Sequence, residues 1–144
     1  MWGLTMWLAL IATGWLMLKP RLHEEQPALS IVLHLALVLP FVALARLFLV
    51  NDTSVLHVAA FGGEDLPLKY RFAATWAARE GPLLMWLGWM SLVAWLWRRP
   101  LPGEAGATVD AQATRLRLMH LMSLTLLLIA FSLDPFKETP AFFM

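Results

Sequence analysis

Uncharged apolar runs alternate with short polar interruptions along this chain, a pattern that predicts helices facing an apolar solvent. Trp2 to Leu18 carries no charge. Ala28 to Val50 is a largely apolar run with His34, Pro40 and Arg46 inside it. Pro82 to Trp97 is again uncharged, and its helix is expected to begin upstream, near Phe72. Leu118 to Leu133 holds His120 as its single titratable group. At a rise of ~1.5 Å per residue, each run can cross, or nearly cross, a hydrocarbon core of ~30 Å as a helix. Lipid offers nothing to an unpaired peptide group, so a helix is the default. The expected fold is all-α: an integral membrane protein with four transmembrane helices over 2–18, 28–50, 72–97 and 116–133, in one membrane domain over 1–144. An outer loop over 51–71 and an inner linker over 98–115 join them.

Composition supports lipid as the solvent. Of 144 residues, 60% are hydrophobic and 15% charged, and eight are tryptophan. A soluble domain of this length has too little interior for that much apolar surface. A formal net charge of +1 gives no support for a nucleic-acid partner. The absence of cysteine removes disulfides, thiolate catalysis and cysteine metal sites together. The first run lacks a basic start and is followed by Lys19-Pro20-Arg21, not by a small-residue cleavage site, so it reads as a retained span.

Basic residues set the expected orientation. Lys19, Arg21, Arg98, Arg99, Arg115 and Arg117 fall on one side, against Lys69, Arg71, Arg79 and Lys137 on the other. The positive-inside rule then places both termini and the 51–71 loop outside. Pro100, Pro102, Gly103 and Gly106 make the inner connection a flexible tether. Asp134-Pro135 stops the fourth helix, and the tail beyond it reads as too short for an outer domain.

Three groups of residues invite a chemical reading. Trp76, Trp86, Trp89, Trp95 and Trp97 share the third span. Its two ends fit aromatic belts, whereas Trp86 and Trp89 fall mid-membrane and read first as packing against another helix, or else as a wall for a flat ligand. Arg79 and Glu80 lie about one turn below the outer surface, followed by Gly81-Pro82. Arg79 can snorkel and Glu80 can pair with a neighbouring chain, but a guanidinium there can also meet a carboxylate or propionate. Pro82 kinks the helix if it runs unbroken from Phe72, and sits in its first turn if it starts afresh. His34 and His120, both towards the inner side, can oppose each other as haem ligands or stand as isolated interior histidines. Arg46 reads as a snorkelling side chain, and His57 and His23 have no company that suggests a metal. No phosphate loop, nucleophile triad or paired-histidine metalloprotease helix is present.

Several segments carry a family resemblance. Asn51-Asp52-Thr53-Ser54-Val55-Leu56-His57-Val58-Ala59 resembles the NDFSVxYVA segment of CcmF-type proteins, the haem lyase subunits of cytochrome c maturation system I, a group that includes NrfE. Leu66-Pro67-Leu68-Lys69-Tyr70-Arg71-Phe72 is similar to their LPxxYR, and Trp76 to Trp86 (WAAREGPLLMW) to their WGGHEGSLLLW. Leu133-Asp134-Pro135-Phe136 is similar in kind to their SNPF. Arg79 stands where the family has His, Pro82 where it has Ser, and His57 where it has Tyr.

The resemblance covers only the amino-terminal part of such a protein. Family members continue through further spans, with a tryptophan-rich WWD segment and haem-ligating histidines. It therefore implies an amino-terminal portion or subunit, a non-catalytic part of a haem lyase complex in the bacterial inner membrane. The family's work is covalent haem attachment to apocytochrome c at the outer face. The implied partners are the WWD-bearing remainder, a haem chaperone and apocytochrome c, with haem bound through the assembled complex. Trp76, Arg79 and Glu80 would then line the outer surface near haem. Two other readings stay open here: a self-contained haem b or quinone protein using His34 and His120, and a four-span scaffold of unrelated function.

Overall fold

A computed structural model describes residues 2–99 and 109–141. They form α1 (Leu4–Leu18), α2 (Leu22–Glu25), α3 (Pro27–Val50), α4 (Leu56–Phe61), α5 (Leu68–Ala74), α6 (Glu80–Leu96) and α7 (Val109–Leu133). No strand occurs among the described residues; an isolated antiparallel bridge joins Val55 to Glu138. The all-α expectation holds.

The four longer helices close a ring in which α1 packs on α3, α3 on α6, α6 on α7 and α7 back on α1. Its interior is built from Met6 and Leu16 of α1, Leu37, Leu44 and Phe48 of α3, Leu84 and Leu87 of α6, and Leu127 of α7. Small residues fill the closest approaches: Ala9, Ala12, Thr13, Ala43, Ser91, Ala94, Ser123 and Ala130 are all buried. This is how helices associate where lipid removes the hydrophobic drive between them, since close backbone approach maximises dispersion contact.

The outside of the ring is as apolar as the inside. Leu4, Ile11, Leu35, Val42, Trp86, Trp89 and Leu128 are exposed, large apolar side chains contributed by all four helices. α3 (mean hydropathy 2.5) and residues Asp110–Leu133 of α7 (1.8) are long and apolar enough to cross a membrane. α1 and α6, at 15 and 17 residues, reach roughly 22 and 25 Å.

Two segments differ from the expected boundaries. The run read as one helix over 72–97 is divided: α5 ends at Ala74, residues 75–79 form turns and bends, and α6 starts at Glu80. Pro82 is the third residue of α6, where its missing N–H is one of the four without a helical partner in any case. The helix therefore starts afresh, with no kinked continuation. α7 begins at Val109, so the last residues assigned to the linker over 98–115 are helical. The Pro100 to Gly106 tether lies outside the described residues, as do the final three residues of the tail.

Candidate functional site

The segments that carry the family resemblance converge on one end of the bundle, the loop end, where α3 stops and α6 starts. Asn51 closes α3 in the left-handed conformation (φ 55°), its N–H reaching back to Leu47 and Phe48 carbonyls. Asp52 Oδ1 then accepts from Ser54 N (3.2 Å) and Ser54 Oγ (2.6 Å), an Asx turn that aims the chain into α4. Asp134, also left-handed (φ 47°), ends α7 and turns the tail beneath this loop.

The two segments join there as a short antiparallel pair. Leu56 N donates to Lys137 O (2.8 Å) and Thr139 N to Ser54 O (2.8 Å). Thr139 Oγ1 adds a bond to Thr53 O (2.6 Å). Arg71, from the LPLKYR segment, fastens the rest of the loop. Its guanidinium donates to the carbonyls of Leu66 (2.9 Å), Leu49 (3.2 Å) and Glu64 (2.5 Å), tying the 64–66 turn to the end of α3.

The three residues expected to line one surface make different contacts. Trp76 lies in the irregular stretch before α6, edge-on to Phe72 (5.0 Å) and Phe41 (5.6 Å), its indole N–H on Met85 Sδ (3.3 Å). Glu80 turns elsewhere, to 3.8 Å from His57 Nδ1. Arg79 is exposed, with no ion pair or side-chain hydrogen bond among the described residues. Arg46 is likewise exposed and stacks over Trp2 at 5.3 Å.

His57 is the site residue that reading the sequence missed. Its side chain is 8% exposed, held between the edges of Phe48 (5.4 Å) and Phe61 (5.3 Å). Burial pushes its imidazole below the ordinary value of 6.5, and the Glu80 carboxylate pulls it part of the way back. At neutral pH the contact is thus a neutral ring beside a carboxylate, at a separation too long for a hydrogen bond. The signal was weak because 23 residues and two turns separate the partners in the chain.

Trp76 also belongs to a longer feature. An apolar groove of about 380 Å³ runs between α3 and α6, walled by Phe41, Phe72, Trp76, Met85 and Trp89. It continues through Val38 and Leu92 into a second groove of about 280 Å³ that ends at His34, Ser91 and Trp95. Trp86 and Trp89, read as packing against another helix, are 54% and 53% exposed on the outside of the ring. Trp89 instead forms part of the groove wall.

His34 and His120 do meet. Their ring centroids are 5.5 Å apart in an edge-to-face arrangement, with Trp95 at the same distance from His34. His34 Nδ1 donates to Ser30 O (2.7 Å), which leaves Nε2 as the bare nitrogen of the neutral ring; this atom and His120 Nδ1 are buried without a hydrogen-bond partner. Trp95 is capped by the Arg98 guanidinium at 3.5 Å. A haem ligated by both histidines needs its plate between the two imidazoles. The cavity beside them measures about 10 Å³, room for about one water. In this packing the pair does not fit a haem.

A helical ring with a tied-down loop end and an aromatic groove defines the class: a small helical bundle with two helices long and apolar enough to cross a membrane. Sequence comparison then relates it to a particular group. The chain is 38% identical over 104 residues to the cytochrome c-type biogenesis protein CcmF of Escherichia coli (strain K12), covering 69% of this chain. It is 36% identical over 110 residues to the CcmF of Haemophilus influenzae, covering 72% of this chain. The NrfE of Haemophilus influenzae, a cytochrome c-type biogenesis protein, is 38% identical over 78 residues, 54% of this chain and 12% of that protein. The resemblance to the CcmF/NrfE proteins is thereby shown. The chain spans about 15% of the length of the first of these relatives and 16% of the second. No family model matches the chain, and no solved structure matches it.

Proposed function

We propose that this chain is the amino-terminal, non-catalytic part of a CcmF-like haem lyase, supporting covalent attachment of haem to apocytochrome c at the outer face of the bacterial inner membrane. The similarity to cytochrome c-type biogenesis proteins carries the reading. The convergence of the resembling segments on one end of the bundle supports it, because one surface can then present them together.

In this reading all four long helices span the membrane, both termini lie outside, and the loop end faces the periplasm. Haem is the substrate of the assembly. The groove walled by Phe41, Phe72, Trp76 and Trp89 offers an apolar aromatic wall to one porphyrin face. Exposed Arg79, close by in the chain, is a donor for a propionate. Glu80 faces His57 and does not contact the substrate. The haem-ligating groups belong to the WWD-bearing remainder, and the haem chaperone and apocytochrome c approach from the same side.

Deleting the gene and staining membranes for covalent haem tests the proposal. Loss of c-type cytochromes, restored by the wild-type chain, is expected. Trp76→Ala should restore less than Trp76→Phe, since the phenyl ring keeps a flat wall. Unchanged c-type cytochromes in the deletion strain would sink the reading.

A further inference from the structure

The opposite end of the bundle, the arginine end, holds a cleft of about 440 Å³ between the end of α1, α2 and the start of α7. Its α1–α2 wall presents Lys19 and Arg21, and the α7 wall presents Arg117 with Thr114. Asp110, Thr114 and Arg117 recur at helical spacing, so one stripe of α7 faces the cleft. Glu25 and Asp110 are the acidic members, leaving cations in excess by one. Arg21 Nη2 is 3.7 Å from Asp110 Oδ1, and both side chains are well exposed (48% and 96%). Such a contact is weak and screened, so an incoming anion can displace it.

The cleft lies where α1 leaves its uncharged run, the depth at which phospholipid headgroups sit. Leu18 is part of its lining and 75% exposed. Above it, Leu4, Trp7, Ile11, Trp15 and Leu18 form an exposed apolar stripe along α1. An apolar track leading into a cationic cleft matches one ligand chemistry: acyl chains on the stripe and a phosphate diester between Lys19, Arg21 and Arg117.

We infer that this cleft is a binding site for an anionic glycerophospholipid. Lys19 and the two guanidiniums hold the phosphate, Thr114 offers a hydroxyl donor, and Asp110 opposes the ligand. The inference rests on the membrane placement proposed above. Extraction of the chain from membranes by alkaline carbonate overturns that placement, and is distinguishable from a loss of lipid selectivity.

The test uses the full chain in detergent, titrated with phosphatidylglycerol, with phosphatidylcholine of the same acyl chains, and with glycerol phosphate. Binding is read by native mass spectrometry and thermal shift. Phosphatidylglycerol is expected to bind about five-fold or more tighter than phosphatidylcholine, with Arg21→Gln and Arg117→Gln each weakening it about five-fold. Asp110→Asn should tighten it, and Arg99→Gln, outside the cleft lining, should leave it unchanged. Equal binding of the two lipids overturns the site, as does a loss in Arg99→Gln matching that in Arg21→Gln. Glycerol phosphate binding as tightly as phosphatidylglycerol overturns its assignment to a lipid.

Discussion

His57 sits between two phenyl edges with a carboxylate 3.8 Å away. Its folded-state value lies below 6.5, so the unfolded chain takes up a proton at a pH where the folded one does not. Stability is therefore fully present above 6.5 and is lost as pH falls through the lower, folded value. Thermal melts in detergent at pH 7.5 and 5.5 should show this acid sensitivity. Glu80→Gln should deepen it by removing the group that raises His57, and His57→Gln should reduce it. Gly81 is constrained by space. A Cβ there would stand 1.7 Å from Thr75 O, which the backbone must move to relieve. Gly81→Ala should destabilise by about 1–3 kcal/mol. Gly88→Ala, whose Cβ would meet Val38 at an ordinary 3.8 Å, should be neutral or stabilising. Equal melting temperatures for the two variants would contradict the close approach of the 75–79 turn to α6.

At the scale of elements, the loop end is held by backbone bonds between distant segments. The tail after α7 pairs with the loop after α3, and Thr139 supplies both a backbone and a side-chain bond. Thr139→Val keeps the shape and removes the hydroxyl, so about 1 kcal/mol of local stability should go. Hydrogen exchange should quicken at the amides of Leu56 and residue 139 while those in the core of α3 stay protected. Uniform exchange across the variant would mean the strap does not restrain the loop. The division between α5 and α6 belongs to this scale too. Apolar content alone suggested one helix over 72–97. Instead Gly81 admits the Thr75 carbonyl, and Pro82 is tolerated in a first turn, so the chain turns over 75–79 and starts again.

At the scale of the molecule, the ring of four helices presents apolar side chains both inward and outward. The proposed orientation makes a direct prediction, helped by the absence of native cysteine. In intact spheroplasts a membrane-impermeant maleimide should label Glu64→Cys, at the loop end, and spare Arg99→Cys, at the arginine end. The reverse pattern would invert the topology and remove the loop end from the periplasm. Helices of 15 and 17 residues are short for a span, so α1 and α6 are expected to rely on aromatic and basic residues at their ends. Trp95 under Arg98 and Trp97 beside Arg115 have that form.

The sequence by itself determined the all-α class, the long apolar helices and the resemblance to CcmF/NrfE proteins. Each rests on composition and on short ordered motifs, which survive without knowledge of contacts. It also brought His34 and His120 to the same depth, because helical rise converts residue number into height. Tertiary structure alone decided what faces what. It turned Glu80 to His57 and away from Trp76, left Trp86 and Trp89 on the outside, and packed His34 and His120 edge to face with no space for a porphyrin. Rotation about a helix axis and the path of a 20-residue loop are set by packing between segments far apart in sequence. The span from Asn51 to Trp97 shows both halves: its motifs are legible in one dimension, and their meeting at one end of the bundle exists only in three.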